Sequence, residues 1–282
     1  GWQAKLMYEK AQTDYDCFDV SIIDCEGSIE KEISAVETFI AQGCKVILWQ
    51  VSDSNAALEI AETAHNAGVV LLTLSNVISD EYSYAIKSDQ VQEGEIIGSY
   101  LAKVLPENAN VLICRAPDGS NYGNNRTLGV TNTLFNVRSD VTLLEEKPAD
   151  WDRAKAMALM EDWLTVYDQI DAVVCHNDSM ALGCVEAIKN AGRLDEIMVF
   201  GIDGLPEAVW SVSNSELTGT VVQDAITQSD VALELAYKIL VENTPPADRV
   251  TVIDGELICQ ANENIEKWIQ IHKDSGNWTY SD

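Results

Sequence analysis

Short apolar runs, several of them rich in β-branched residues, alternate along this chain with amphipathic stretches. No other feature constrains the fold as much. A strand covered by helices on both faces reads as a continuous apolar run, not as an in-out alternation. The runs expected as strands are 20–24, 45–49, 69–74, 84–86, 110–114, 141–145, 172–175, 197–200, 217–222 and 250–252. Helical periodicity lies between them. The stretch 29–42 puts Ile33, Val36, Phe39 and Ile40 on one face, and 56–67, 90–105, 125–135, 153–163, 179–190, 206–213 and 225–242 read likewise. Gly43, Gly68 and Gly192 stand where left-handed helix caps are expected, and Asp53 or Ser54 can cap the helix near Ala56. The repeated strand-helix-strand order predicts an α/β fold with parallel sheets and right-handed crossovers. A length of 282 residues suits two such lobes.

Composition narrows the function. The chain is 46% hydrophobic and 23% charged, as folded globular proteins are. Its net charge of −28 opposes binding to nucleic acid or to an anionic membrane surface. No apolar stretch is long enough to span a bilayer. The seven cysteines form no CxxC pair, and Cys25, Cys44, Cys114, Cys175 and Cys184 lie in or beside apolar runs. They are expected as reduced core residues and not as a zinc site. There is no GxSxG elbow, Walker loop, GxGxxG, HExxH or EF-hand loop. With three histidines in the chain, a His-centred catalytic base is not expected. The turn from Gly119 to Gly123 lacks the lysine of a phosphate cradle and reads as a plain turn beside the ligand.

Ligands of open α/β sheets bind beyond the carboxyl ends of the strands. Six polar or aromatic residues are expected there: Asp89, Arg126, Trp151, Asn177, Asp203 and Gln223. Their chemistry suits a polyhydroxylated ligand. Carboxylates accept from hydroxyls, the guanidinium donates as a planar fork, amides do both, and an indole covers the apolar face of a sugar ring. Each has a plainer reading. Asp203 could be a turn residue, Asn177 or Asp178 a helix cap, Arg126 a solvated helix residue and Trp151 core packing. Trp49, ending a strand, is a further candidate contact, and His176 reads as a flanking residue.

Four stretches, in order and at this spacing, resemble the periplasmic sugar-binding proteins of the ribose, galactose/glucose and inositol type. They are Ala149-Asp-Trp-Asp-Arg-Ala-Lys155, His176-Asn-Asp-Ser-Met-Ala-Leu-Gly183, Val199-Phe-Gly-Ile-Asp-Gly204 and Gly219-Thr-Val-Val-Gln-Asp224. The resemblance covers nearly the whole chain. It implies two Rossmann-like lobes joined by a three-segment hinge, closing on a ligand. By position it makes Asp89, Arg126, Asn177, Asp203 and Gln223 hydrogen-bonding residues and Trp151 the stacking aromatic. Trp2 aligns with a second stacking aromatic, and Tyr122 and Asn124 lie near a more variable contact. Trp151 stands where phenylalanine is usual, which favours a six-membered ring.

The resemblance also implies a first strand ahead of Trp2, carried by the natural precursor behind a secretion signal. Without it, a gap is expected at the centre of the first lobe's sheet. The first lobe is expected at 1–105 and 224–248, the second at 106–223 and 249–282. The implied role is a monomeric, extracytoplasmic binder, without catalysis, cofactor or metal. It would hand a small neutral sugar, polyol or cyclitol to the permease of an ABC importer. The alternative is a sugar or autoinducer sensor signalling to a receptor kinase or chemoreceptor.

Overall fold

Most of the apolar runs form strands, with helices on both faces. The computed structural model describes residues 2–26, 28–261 and 264–280, and of residues 2–4 the backbone alone. In chain order the strands are β1 (Val46–Trp49), β2 (Val70–Leu74), β3 (Tyr84–Ser88), β4 (Asn110–Arg115), β5 (Thr142–Pro148), β6 (Ala172–Cys175), β7 (Met198–Asp203), β8 (Gly219–Val222), β9 (Val250–Ile253) and β10 (Glu256–Cys259). The helices are α1 (Trp2–Asp14), α2 (Ile29–Ala41), α3 (Leu58–Asn66), α4 (Gln90–Val104), α5 (Asn121–Val130), α6 (Arg153–Val166), α7 (Asp178–Asn190), α8 (Pro206–Ser213), α9 (Ala225–Tyr237) and α10 (Asn264–Asp274). Gly43, Gly68 and Gly192 have φ of +82°, +74° and +70°, as the cap reading predicts.

The chain divides into two units. The first comprises Gly1–Ser88 and Ala225–Ile253, the second Asp89–Asp224 and Asp254–Asp282. In the first, a parallel sheet runs in the order β1-β2-β3-β9. Successive strand residues face opposite ways. Leu71 therefore packs with Ile47, Val36 of α2 and Ile60 of α3. Its neighbour Leu72 packs with Ile86, Met7 of α1 and Ala232 of α9. In the second unit the order is β10-β8-β7-β6-β4-β5, parallel except for β10 against β8. Leu112, Val173 and Val199 pack under Met160, Trp163 and Met180 of α6 and α7. Val111, Ile113 and Val174 pack under Ile97 and Leu101 of α4 and Val130 of α5.

Several expectations need correction. Residues 20–24 form no strand; Ile22 and Ile23 are 47% and 46% exposed. The apolar pattern is there, but a strand needs a partner's backbone groups, and β1 makes its described ladder with β2. A cavity of about 710 Å³ lies between 20–26, β1 and helices α1 and α2, beside β1 at the edge of the described sheet. The division between units falls at Ser88, not at 105, because Ile97 and Leu101 bury α4 in the second unit's core. Likewise β9, expected in the second lobe, pairs with β3 in the first. Asp53 accepts from the amides of Asn55 and Ala56 in a turn before α3, which begins at Leu58 without a side-chain cap. β10 and α10 were not expected.

Candidate functional site

The site residues of the second unit converge through one close crossing of helices. A Cβ on Gly94 of α4 would stand 2.1 Å from the Arg126 carbonyl oxygen, and one on Gly129 of α5 2.0 Å from that of Val91. With no side chain at either point, the backbones meet and Glu93 comes alongside Arg126. Arg126 Nε donates to Glu93 Oε2 at 2.9 Å, with the two side chains 3% and 0% exposed. Nη1 donates to the carbonyl of His176, and Nη2 lies 3.8 Å from Asp203 Oδ1. The guanidinium carbon is 5.7 Å from the centroid of the Trp151 ring, a cation–π distance.

The backbone is strained where these groups are aimed. Asp150 and Trp151 have φ of +56° and +61°, rare for a bulky residue. The turn ends at Asp152, whose carboxylate caps α6 by accepting from Lys155 N at 2.8 Å. Asp203, the last residue of β7, has φ +131°, and Gly204 follows at +75°. Gln223, just after β8, donates from Nε2 to Asp203 Oδ1 at 3.3 Å. Residues held in such conformations cluster at binding sites.

Electrostatics sort the carboxylates. Asp178 is fully buried; it accepts from the Thr220 hydroxyl at 2.6 Å and from Leu205 N at 2.8 Å. Burial pushes its pKa up to about 6 against those hydrogen bonds. Enclosure pushes Asp203 up to about 8; Arg126 opposes this, while Asp178 and Glu93 add to it. Asp203 still shows 31% of its side chain to solvent. His176 is not a flanking residue but a buried brace. Its Nδ1 accepts from Ala116 N at 3.1 Å, and burial next to Arg126 and Arg115 drops its pKa to about 3. Tyr122 sits one turn before Arg126 on the same face of α5, and burial pushes its phenol up to about 12.

Arg126, Trp151, Asp203 and Gln223 are thus gathered into one constellation. Two other candidates are helix caps. Asp89 caps α4, with Oδ1 accepting from Val91 N and Gln92 N at 3.0 and 3.2 Å. Asn177, and not Asp178, caps α7; its Oδ1 accepts from Met180 N at 2.9 Å, which leaves its NH2 to be offered elsewhere. Asn124 is exposed, two residues from Arg126 and off its face of the helix. Trp49 is core packing of the first unit, 5% exposed, with its indole N–H on Glu32 at 3.1 Å. The Trp2 side chain lies outside the described residues. Glu93 does not stand out in the sequence because a glutamate in the first turn of a helix normally faces solvent and suits the helix dipole; its only signal is the Gly94 beside it. The spacing also hid a grouping of three buried thiols. Cys114, Cys175 and Cys184 bring their sulfurs within 4.8 Å of one another, and they are the one such group of metal-ligating side chains among the described residues.

A family model described as "Periplasmic binding protein domain" matches residues 2–244. The ribose import binding protein of Escherichia coli (strain K12) is 30% identical over 224 residues, 79% of this chain and 75% of that protein. An ABC transporter solute binding protein from Bacillus halodurans C-125, solved with bound myo-inositol, matches with a TM-score of 0.82 at 27% identity. That match covers 95% of this chain and 92% of the other. The fructose binding periplasmic domain of a hybrid two component system matches at 0.82 and 25% identity, covering 98% and 93%.

Proposed function

The chain belongs to the type I periplasmic sugar-binding proteins, and from that premise we propose that it captures a monosaccharide or cyclitol and delivers it to an ABC importer outside the cytoplasm. The observation that carries this reading is the Arg126, Trp151, Asp203 and Gln223 constellation at the carboxyl ends of β7 and β8. A carboxylate with a strained backbone, a guanidinium held by buried partners and an indole over it are positioned before any ligand arrives. Preorganised, charge-assisted donors and acceptors hold hydroxyls more strongly than neutral ones do, roughly 1.5–3 kcal/mol against about 1. The mechanism is binding with a shift of population toward a ligand-closed form. Relatives with this role are binding proteins and not enzymes. Among the described residues no helix is long and apolar enough to cross a membrane. The partner proposed is the permease of the importer, with the chain acting as a monomer.

One finding favours a second reading. The fructose binding periplasmic domain of a two component system has the same fold, so a sensory role on the same pocket is the alternative. Stimulation of an importer's ATPase by the liganded protein would decide for transport.

Thermal shift against monosaccharides and cyclitols tests the binding claim. A ligand at about 100 times its dissociation constant should stabilise the protein by about 2.7 kcal/mol. The shift should vanish in Asp203→Ala and in Arg126→Ala. A panel that moves neither the wild type nor any variant would remove the sugar-binding reading.

A further inference from the structure

We propose that the ligand is a polyol bearing one ammonium group, an amino sugar or amino-cyclitol, whose cation docks on Asp203; this rests on the sugar-binding reading above. The carboxylates gathered here outnumber the cations that reach them. Arg126 is the guanidinium of the constellation, and it is already committed. Its Nε is 2.9 Å from Glu93, a carboxylate with no exposure that needs this charge, and its Nη1 is on the His176 carbonyl. Among the described residues, the only cation that approaches Asp203 is Arg126, with Nη2 at 3.8 Å. The neighbouring cations are also committed. Arg115 lies on Asp118 and, at 3.3 Å, on Glu146; Lys155 is 2.7 Å from Asp150, and Arg153 is 2.8 Å from Glu207. His176 supplies no charge, since its Nδ1 accepts a backbone N–H.

Glu93 from α4, Asp178 from α7 and Asp203 from β7 therefore share one guanidinium. Asp178 is held by neutral donors, the Thr220 hydroxyl and the Leu205 amide. An enclosed carboxylate without a cation is costly and is relieved either by a proton or by an incoming positive charge. The free protein takes the first course, as the rise of Asp203 toward about 8 shows. A ligand ammonium offers the second, with three N–H donors as well as the charge. Of the three carboxylates only Asp203 is open to it, at 31% against 0% for Glu93 and Asp178. Gln223 pins Oδ1, so Oδ2 is the oxygen presented. A hydroxyl in the same place brings no charge and leaves the excess of carboxylates standing. On binding, the carboxyl proton of Asp203 leaves to solvent as the carboxylate pairs with the ammonium.

Isothermal titration of the full chain near neutral pH with matched pairs tests this: glucosamine against glucose, galactosamine against galactose, and an amino-inositol against myo-inositol. The expected result is one pair in which the amine binds at least about ten-fold tighter, a difference of about 1.4 kcal/mol. Buffer-dependent heats should show nearly one proton released for the amine and none for its hydroxyl partner. Glu93→Gln should return Arg126 to Asp203 and abolish the preference, with its melting temperature recorded as a check on folding. If the variant does not fold, the wild-type pairs decide alone. Equal or tighter binding of the hydroxyl member in every pair overturns the ammonium assignment and leaves the sugar reading intact. Silence from all members overturns both.

Discussion

Enclosure acts on Asp203 and His176 in opposite directions, because it disfavours whichever form is charged. The folded pKa of Asp203, about 8, stands above an ordinary carboxylate near 4. Between those values the folded state keeps a proton that the unfolded chain has lost, so stability falls as pH rises across the window. Asp178 acts the same way up to about 6. His176, down to about 3, acts oppositely: the unfolded imidazole takes up a proton first, so its contribution rises with pH until about 6.5. The two trends oppose each other in acid. From about pH 6.5 to 8.5 Asp203 is the one of the three still titrating. The wild type should lose stability across that interval in calorimetry, and Asp203→Asn should lose less. Identical slopes would show that Asp203 is an ordinary carboxylate. At this scale the sequence was a good guide to placement wherever a strand end sets it, since Arg126, Asp203 and Gln223 do come together. It was a poor guide where a partner decides. Little local distinguishes Glu93, beyond its neighbour Gly94, from a solvated glutamate, and nothing local distinguishes Trp49 from a ligand-facing tryptophan, because each is defined by a residue distant in the chain.

Elements place the site through α4 and α5. Gly94→Ala would drive a methyl to 2.1 Å from the Arg126 carbonyl. Backbone cannot yield as a flexible side chain does, so the helices must part, at a cost of about 1–3 kcal/mol. Parting them also draws Glu93 from Arg126, so Gly94→Ala should lower both melting temperature and affinity. Gly192→Ala is the contrast. It meets open space but at φ +70°, so its strain of about 1–2 kcal/mol should lower stability and leave affinity alone. Equal losses of affinity in the two variants would deny that the crossing holds the site. Buried parallel strands were legible because covered faces demand unbroken apolar runs, as in β2 and β6. The same rule misread 20–24, where the run exists without a neighbouring ladder. It passed over β10, whose Glu256–Cys259 run is antiparallel to its neighbour and starts with a charge. The boundary between units was misplaced for a related reason. Helix α4 follows β3 after the single residue Asp89, and its packing on Val111 and Ile113 together with its crossing of α5 assigns it to the second unit.

For the whole molecule, 46 acidic residues against 18 basic ones create a negative field far larger than the site's own. Such a field repels itself in the folded state and draws cations toward the surface. The Debye length shrinks from about 30 Å at 0.01 M to about 10 Å at 0.1 M salt. Added sodium chloride over that range should therefore raise the melting temperature of the free protein, because it screens charges that folding brings together. The effect on binding depends on the ligand's charge. An aminated polyol gains from the field at low salt, so its association rate and affinity should fall as salt rises. A neutral polyol feels no such attraction, and its affinity should hold nearly constant. Stopped-flow titration of one matched pair across that range separates the two. A common salt dependence would mean that the field acts on the protein's conformation and not on the ligand, whereas divergence would tie the surface charge to the chemistry of the pocket.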